Sequence, residues 1–266
     1  MDLKIDMNRT ALITGASSGI GLELAKVHAA KGDNLILVAR SIEKMQTLKS
    51  ELENLYKISV HLIKKDLSFH DAAKEVYDEV KQKNIAVDYL INNAGFGDYG
   101  MFYETSWEKE QAMINLNITA LTQLTKLFVV DMVARKSGKI MNVASTAAFQ
   151  AGPSMAVYFA TKAYVLSFSE AIQNELKDFG ITVTALCPGA TESGFTDAAN
   201  LHESKLMKGK KLPSSKEVAT FGYEAMMNGE TVAIHGFMNK VMALSSQIFP
   251  RKIVVKILRQ ILDKSQ

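Results

Sequence analysis

Short apolar runs alternate with longer amphipathic stretches along the chain, a pattern typical of βαβ units in a parallel sheet. The short runs predict seven strands, at residues 10–14, 35–39, 59–64, 87–91, 139–143, 182–186 and 231–234. The longer stretches predict helices at residues 19–31, 42–56, 68–84, 107–136 and 154–179. Within 68–84, Ala72, Val76 and Val80 recur every four residues and so share one helix face. The pattern predicts an α/β fold with a doubly wound, mostly parallel sheet and helices on both of its faces.

Two segments interrupt this alternation, although the whole chain of 266 residues is expected to form a single domain. Residues 193–215 are polar and lysine-rich, and we expect a substrate loop there. Residues 241–266 form an extension that is both apolar and basic, with five basic side chains against one acidic in its last sixteen residues. A basic amphipathic helix can lie on an anionic membrane. The alternative is a helix that packs over the substrate pocket or against a neighbouring subunit.

Composition narrows the class of protein. The 31 basic and 28 acidic residues give a net charge of only +3, which does not favour nucleic-acid binding. A single cysteine, Cys187, excludes a disulfide within the chain and fits a reducing compartment. The five histidines show no metal-ligand spacing, so no metal site is expected. No apolar run approaches the roughly 18 residues of a membrane-spanning helix, and no signal-peptide core begins the chain, so we expect a cytoplasmic protein.

A glycine-rich turn, TGASSGIG, lies between the first predicted strand and the first predicted helix. Its glycines, Gly15, Gly19 and Gly21, allow a tight turn and let a pyrophosphate approach N–H groups at the helix N-terminus. Strand–turn–helix context on both sides makes this pattern more specific than a glycine triplet alone. The turn therefore predicts a dinucleotide site.

The residue that closes the second strand bears on which dinucleotide binds. An acidic residue about 20 positions after the glycines would hold the ribose of NAD, whereas an arginine suits the 2′-phosphate of NADP. Here Ala39 is followed by Arg40, 19 residues after Gly21, and Ser41 adds a hydroxyl. NADP(H) is therefore favoured over NAD(H). Asp66, after the third strand, either accepts from the adenine amino group or serves as a turn or helix-cap residue.

Tyr158 and Lys162 lie four residues apart on a predicted helix and so share a face. Ser145 follows the fifth strand, at the carboxyl edge where such sheets bind ligands. A free tyrosine has a pKa of about 10, and a nearby ammonium together with an oxidised nicotinamide would lower it. A serine hydroxyl can polarise a carbonyl oxygen for hydride attack.

In chain order, TGASSGIG, Arg40, NNAG at 92–95, Asn117, Ser145, YFATK at 158–162 and PG at 188–189 resemble the short-chain dehydrogenase/reductase family, in its ordinary single-domain branch. The resemblance spans about residues 8–195, nearly three quarters of the chain. It implies a Rossmann-type fold with a seven-stranded sheet.

The resemblance also implies a catalytic tetrad of Asn117, Ser145, Tyr158 and Lys162. In this family the tyrosine is the general acid/base and the serine orients the substrate. The lysine binds the nicotinamide ribose and lowers the tyrosine pKa, while the asparagine holds a proton-relay water. The family pattern selects Asn117 over Asn115. The cofactor would contact Gly15, Ser17, Ser18, Gly19, Ile20, Gly21, Arg40, Ser41, Asp66, Leu67, Asn93, Ala94, Gly95, Tyr158, Lys162, Pro188, Gly189 and Thr191.

The chain departs from the family pattern at two places. NADP-preferring relatives often have a basic residue where this chain has Ser18, so the cofactor prediction rests mainly on Arg40. After the last strand, HGFMNK replaces the common aspartate and two glycines, which weakens the prediction of the usual tetramer. A homodimer through the two long helices is the safer expectation, with a homotetramer as the alternative.

Together these features predict an NADP(H)-dependent oxidoreductase that interconverts a carbonyl and a secondary alcohol, with Tyr158 as general acid/base. Apolar side chains expected around the pocket favour an apolar small-molecule substrate, such as a steroid-like or acyl carbonyl: Phe96, Phe149, Met155, Phe195 and Met207. The alternatives are a non-catalytic NADP(H)-binding sensor or scaffold and an extended-type epimerase or dehydratase. The substrate-binding set would also include Ser145 and Tyr158.

Overall fold

The computed structural model describes residues 9–195 and 212–262. Seven parallel strands form one sheet in the order β3-β2-β1-β4-β5-β6-β7. The strands are β1 Thr10–Thr14, β2 Asn34–Ala39, β3 Val60–Lys64, β4 Tyr89–Asn92, β5 Gly138–Val143, β6 Ile181–Cys187 and β7 Val232–Ile234. The strand order reverses direction at β1, between β2 and β4, and a crevice at such a switch point is where ligands of α/β sheets bind.

Helices cover both faces of the sheet, which confirms the predicted Rossmann-like α/β fold. They are α1 Gly19–Ala30, α2 Ile42–Tyr56, α3 Ala72–Gln82, α4 Trp107–Ile114, α5 Leu121–Arg135, α6 Ala156–Leu176, α7 Ser215–Asn228, α8 Phe237–Ile248 and α9 Arg251–Leu262. Successive side chains of β1 point to opposite faces, because the period of a strand is two residues. Ile13 packs in a cluster with Leu24 of α1, whereas Leu12 packs in a second cluster with Val76 of α3 and Leu124 of α5.

The predicted strands and helices agree with the structure to within a few residues, with the largest shift of a boundary at α3, whereas helix α7 was not predicted. Helix α3 begins at Ala72, not at residue 68. The carboxylate of Asp66 accepts hydrogen bonds from the backbone N–H and the hydroxyl of Ser68, at 3.0 and 2.7 Å. Such local bonds stabilise a turn in competition with a helix, which delays the start of α3.

The predicted helix 107–136 is continuous but irregular in its middle. A π-helical segment, Asn115–Ala120, joins α4 to α5. One inserted π turn changes which side chains face the sheet, and such turns are frequent at functional sites. The segment contains Asn117, whose side chain is buried.

Trp107–Arg135 as a whole is long and apolar enough to span a membrane by length and composition. It contains scattered polar residues, so it has no unbroken apolar run of that length. Its buried side chains, Leu121, Leu124 and Phe128 among them, belong to clusters that pack against the sheet. We therefore describe it as a core helix.

The C-terminal part of the chain forms two helices instead of the one predicted. Phe249 and Pro250 separate α8 from α9, because proline has no N–H and a fixed φ. Leu258 and Leu262 of α9 pack with Tyr158, so the helix lies over the region of the predicted pocket. Residues 196–211, which include most of the predicted substrate loop and Met207, lie outside the described residues.

Candidate active site

The glycine turn between β1 and α1 needs glycine for conformational and steric reasons. Gly15 and Gly19 have φ of +68° and +56°, a region that side chains disfavour. A Cβ on Gly21 would lie 2.4 Å from the carbonyl oxygen of Gly15. Ser18 is the N-cap of α1, and its side chain makes no capping bond. The first-turn N–H groups of α1 are thus left for another acceptor, which fits a pyrophosphate.

The loop after β4 is fastened to the glycine turn. The hydroxyl of Thr14 accepts hydrogen bonds from the backbone N–H groups of Asn93 and Ala94, at 3.0 and 2.9 Å. The side-chain amide of Asn93 donates to the carbonyls of Thr14 and Gly15, at 2.9 and 3.4 Å. The predicted roles of these residues are cofactor contacts, and their observed bonds hold two loops at one edge of the sheet.

Arg40 and Asp66 lie where β2 and β3 end, as the sequence predicts. The Arg40 side chain is 82% exposed, and its Nη1 lies 3.9 Å from a carboxylate oxygen of Asp66. Lys64 is aligned with Ala39 in the register of the two strands and lines a cleft of about 610 Å³ with Arg40 and Asp66. This end of the sheet edge therefore has two cations that an anionic group can approach.

Three neighbouring positions have local structural roles. Ser41 is the N-cap of α2, and its hydroxyl donates to Glu43 at 3.4 Å. Leu67 is buried in the core, so only its backbone can face a ligand. Ile20 packs partly buried against the core, and Ser17 is half-buried.

Asn117 is held in one orientation by the chain around it. Its side-chain amide donates to the carbonyl of Phe96 and to the hydroxyl of Thr161, at 3.0 and 3.1 Å. Its carbonyl oxygen accepts from the backbone N–H of Phe96 at 3.2 Å. A Cβ on Gly95 would lie 3.0 Å from that oxygen and 3.4 Å from Nζ of Lys162. Asn117, Gly95 and Lys162 therefore form one cluster.

Ser145 begins a 3₁₀ turn, Thr146–Phe149, directly after β5. Its hydroxyl accepts from the N–H of Ala147 at 3.1 Å and donates to the carbonyl of Pro188 at 3.4 Å. It also hydrogen-bonds Tyr158. The end of β5, the end of β6 and helix α6 thus meet at this serine.

Tyr158 and Lys162 lie one turn apart on α6, and both are buried. The ammonium of Lys162 donates to the carbonyl of Val143 at 2.7 Å and lies 5.9 Å from the ring centroid of Tyr158. Asn117, Ser145, Tyr158 and Lys162 are therefore all buried at the carboxyl edge of the sheet. The rival, Asn115, is half-buried on the same π-helical segment.

Burial dominates the acid–base properties of this cluster. It raises the pKa of Tyr158 to about 12, with the hydrogen bond from Ser145 acting in the opposite direction. Burial also lowers the pKa of Lys162 to about 8, because an ammonium is disfavoured away from water. The expectation that Lys162 lowers the pKa of Tyr158 does not hold for the protein alone. The desolvation of the phenolate outweighs the effect of Ser145, which lowers the Tyr158 pKa.

An apolar wall surrounds Tyr158. Met155 is buried with it, Phe96 and Phe195 pack against the same cluster, and Phe195 has its ring centroid 5.2 Å from that of Tyr158. Phe149 packs partly buried against a neighbouring cluster that includes Ala148. Its place in the substrate pocket stays a prediction.

At the end of β6, Pro188, Gly189 and Thr191 form a tight bend. The carbonyl of Pro188 accepts from the N–H of Thr146 at 2.9 Å, and the Thr191 hydroxyl donates to the carbonyl of Gly189 at 3.0 Å. A Cβ on Gly189 would lie 2.5 Å from the side chain of Asn239. The bend is therefore packed between the Ser145 turn and α8.

Several residues that matter for this site were not predicted. Thr14 and Thr161 act through hydrogen bonds to Asn93 and Asn117, and no spacing signals such bonds. Gly97 allows close packing, since a Cβ there would lie 2.8 Å from the Phe195 ring and 3.1 Å from the Tyr158 ring. The sequence signal for Gly97 was its position two residues after the NNAG motif. Among residues 9–195 and 212–262, no three metal-ligating side chains converge.

The sequence and the fold were compared with known proteins. The family model for short chain dehydrogenase matches residues 9–204. The nodulation protein G of Rhizobium sp. (strain N33) is 31% identical over 238 residues, which cover 86% of this chain and 96% of that protein. The 17-beta-hydroxysteroid dehydrogenase type 3 of Mus musculus is 33% identical, over 73% of this chain and 64% of that protein. The human inactive hydroxysteroid dehydrogenase-like protein 1 is 32% identical, over 86% and 70%.

Two solved structures share the fold over nearly the whole chain. A short-chain dehydrogenase from Sphingobium yanoikuyae in complex with NADPH has a TM-score of 0.81 at 29% identity, covering 97% of this chain and 98% of that one. The bulky-bulky ketone specific alcohol dehydrogenase from Comamonas testosteroni has a TM-score of 0.77 at 30% identity, covering 90% and 92%. With the family model matching more than half of its length, the chain belongs to the short-chain dehydrogenase/reductase family, whose members are oxidoreductases that bind a nicotinamide cofactor.

Proposed function

We propose that the protein is an NADP(H)-dependent oxidoreductase that interconverts an apolar ketone and the corresponding secondary alcohol. The observation that carries this proposal is the convergence of Tyr158, Lys162, Ser145 and Asn117 beside an apolar wall. An acid–base phenol, a hydroxyl donor and a buried cation together match the needs of carbonyl reduction.

The cofactor preference rests on charge at the end of β2. No acidic residue closes that strand, and Arg40 is exposed beside Lys64 in the cleft. A guanidinium binds a phosphate through two parallel hydrogen bonds, which favours a 2′-phosphate over a ribose hydroxyl. The NADPH bound in the Sphingobium yanoikuyae relative supports the same preference.

A nicotinamide cofactor, when bound, supplies or accepts the hydride. Tyr158 donates its phenolic proton to the carbonyl oxygen during reduction and accepts it back during oxidation. Ser145 donates a hydrogen bond to the same oxygen, and Lys162 holds a ribose hydroxyl. With its pKa near 12, Tyr158 is protonated in the resting protein. In carbonyl reduction this phenol is the acid.

The wall around Tyr158 supports an apolar substrate. Phe96, Met155 and Phe195 offer no hydrogen-bonding side chain, so a polar polyol would lose water contacts without replacement there. Relatives that act on hydroxysteroids or on bulky ketones, as their names state, support the same class. A steroid-like ketone or an acyl carbonyl is the substrate that we propose.

We also propose a cytoplasmic homodimer that pairs through α5 and α6. A groove on their outer side is lined by Ile118, Leu127 and Tyr164, and Val130 is largely exposed nearby. Exposed apolar side chains on two long helices favour a subunit contact. The homotetramer is the alternative state.

A non-catalytic NADP(H) sensor is the second candidate, favoured by a relative whose name states that it is inactive. One experiment separates the two functions. NADPH and NADH oxidation is followed at 340 nm with bulky ketones, steroid ketones and oxoacyl esters, and NADP+ and NAD+ reduction is followed with small polyols, using Tyr158→Phe as the control. We expect turnover of bulky ketones with NADPH that the variant loses. NADPH binding without turnover of any carbonyl would support the sensor, and turnover of polyols alone would contradict the substrate class.

A further inference from the structure

Helix α8 packs with its polar side inward and its apolar side outward. The inward residues are small or polar: Ala243 is buried, Ser246 donates to the carbonyl of Phe149 at 3.1 Å, and Asn239 donates to the carbonyl of His235 at 2.7 Å. The large apolar side chains of α8 are all exposed, namely Phe237, Met238, Val241, Met242, Leu244 and Ile248. This is the reverse of the usual arrangement in a surface helix, whose apolar stripe faces the core.

Helix α9, which follows α8 directly, also exposes apolar side chains. Its inner side chains, Leu258 and Leu262, are buried beside Tyr158, and the hydroxyl of Tyr99 bonds the carbonyl of Leu262 at 2.6 Å. Ile253, Ile257 and Ile261 recur every four residues on an adjoining stripe and are 49%, 52% and 38% exposed. The α9 apolar arc is therefore wider than the part that the core covers.

We define the α8–α9 apolar face as the six exposed side chains of α8 together with Ile253, Ile257 and Ile261. It contains half of the large apolar side chains exposed by the described residues. Nine exposed apolar side chains on two consecutive helices indicate an interaction site, whereas scattered single side chains do not.

The charged side chains of the segment that forms this face have one sign. Residues 231–262 contain five lysine and arginine side chains, Lys240, Arg251, Lys252, Lys256 and Arg259, and no aspartate or glutamate. On α9, Lys252 and Lys256 follow the isoleucine stripe on its solvent side, as the helical period of 3.6 residues requires. An apolar stripe bordered by lysines is the pattern of helices that lie in the interface of an anionic bilayer.

We propose that the α8–α9 apolar face binds the surface of an anionic lipid bilayer, with the isoleucine stripe in the acyl–headgroup boundary and the lysines at the phosphates. A second copy of this chain fits the charges less well. In a two-fold contact the same patch meets itself, so five cations would face five cations. We do not include the exposed aromatic side chains before α4, Phe102 and Tyr103, in the membrane-binding surface. The neighbouring carboxylates of Glu104 and Glu108 would be repelled by anionic lipid.

The position of the face relative to the pocket gives it a role. Leu258 and Leu262 lie against the Tyr158 cluster while the adjoining isoleucines of the same helix would lie in lipid. A membrane-dissolved ketone would then reach the pocket along α9. This role rests on the proposed function, whereas bilayer binding itself does not.

Vesicle flotation tests the proposal without any turnover. The full chain is mixed with vesicles of phosphatidylcholine alone, or with about 30% phosphatidylglycerol, at about 50 and 500 mM NaCl. We expect flotation with the anionic vesicles that weakens at high salt. The paired substitution Lys252→Glu and Lys256→Glu should weaken partitioning at least about tenfold, and Ile248→Ser with Ile257→Ser should abolish it.

Matched controls are available on α2, far from this face. Leu55 is 63% exposed and Lys44 is exposed, so Leu55→Ser and Lys44→Glu should float like the unmodified chain. Tyr158→Phe should also float, which separates a failure of the oxidoreductase proposal from a failure of this one. Absent flotation, or equal losses in the α2 variants, would overturn the proposal. So would Ile248→Ser with Ile257→Ser that halves the mass in light scattering while flotation stays unchanged.

Discussion

The carboxyl edge of the sheet and the α8–α9 apolar face depart from the usual burial pattern in opposite ways. At the sheet edge, polar groups are buried: Asn117, Ser145 and Lys162 are all nearly inaccessible. On the apolar face, large hydrocarbon side chains such as Ile248 are open to water. Buried polar groups and exposed apolar patches are the informative exceptions to hydrophobic burial. A buried polar group costs free energy unless it is hydrogen-bonded, and an exposed apolar patch costs free energy unless another surface covers it.

The two regions differ in how they are held. Asn117 has three hydrogen bonds to the chain, and Lys162 has one to a β5 carbonyl. The outer side chains of α8 and α9 have no comparable partners in the described part of the protein. The side chains at the sheet edge are therefore held in fixed positions, whereas the outer side chains of α8 and α9 are exposed to water. Four predictions test this contrast.

The largest effect is expected at Tyr158. Tyr158→Phe removes the phenolic hydroxyl and with it the proton that is donated to the carbonyl oxygen. We therefore expect kcat for ketone reduction to fall by about 10³-fold. The ring remains, and NADPH affinity and thermal unfolding should change little. Stopped assays at 340 nm and NADPH titration measure both quantities. A variant that keeps a tenth of the activity would show that another group is the acid.

The second effect comes from Lys162, whose folded pKa is about 8. In the unfolded chain a lysine has a pKa of about 10.4, so between these values the unfolded state binds more protons. Lys162 should therefore contribute a rise of roughly 2 kcal/mol to the free energy of unfolding between pH 7.5 and pH 10, measured as the difference between the unmodified protein and Lys162→Met. Urea unfolding at both pH values measures it.

The exposed Lys44 supplies the control for that experiment. Lys44→Met should keep the pH dependence of the unmodified protein, because its side chain stays in water. Parallel slopes for Lys162→Met and the unmodified protein would contradict the buried, easily deprotonated lysine.

The third comparison uses two neighbours on α9. Leu258 is 9% exposed and Ile257 is 52% exposed. Leu258→Ala should lower the free energy of unfolding by about 2 kcal/mol, since it leaves a cavity beside Tyr158. Ile257→Ala should change it by less than about 0.5 kcal/mol. Equal losses in urea unfolding would mean that the outer stripe is also packed within the protein.

The smallest effect is expected at Arg40. Arg40→Ala removes a charged donor from an exposed site, which should raise KM for NADPH about tenfold and leave KM for NADH unchanged. Steady-state kinetics with both cofactors measure the ratio. An unchanged ratio would move the preference to other groups, and Lys64→Ala would then be the next variant to examine.

Sequence-based prediction succeeded where the signal was local or repetitive. The strand β1 and the helix Ile42–Tyr56 were predicted with the bounds that the structure has. The π-helical segment around Asn117 was not predicted, because it leaves no trace in the apolar periodicity. The packing of Phe149 beside Ala148 was not predicted, because it follows from a 3₁₀ turn after Ser145.

The direction of the Tyr158 pKa shift could not be predicted from the sequence either. Spacing put a lysine one turn away and suggested a lowered pKa, whereas burial raises it to about 12 in the protein alone. Desolvation depends on every atom within several ångströms, most of which come from distant segments such as Phe195 and α9.

By itself the sequence determined the parallel α/β fold, the glycine turn and the family, because strand and helix periods and short motifs are properties of neighbouring residues. The tertiary structure decided which faces of α8 and α9 are covered and which side chains surround Tyr158. A sequence shows that a helix has an apolar arc. Only packing shows how much of that arc the core fills, and here the core fills one side of α9 and almost none of the apolar side of α8.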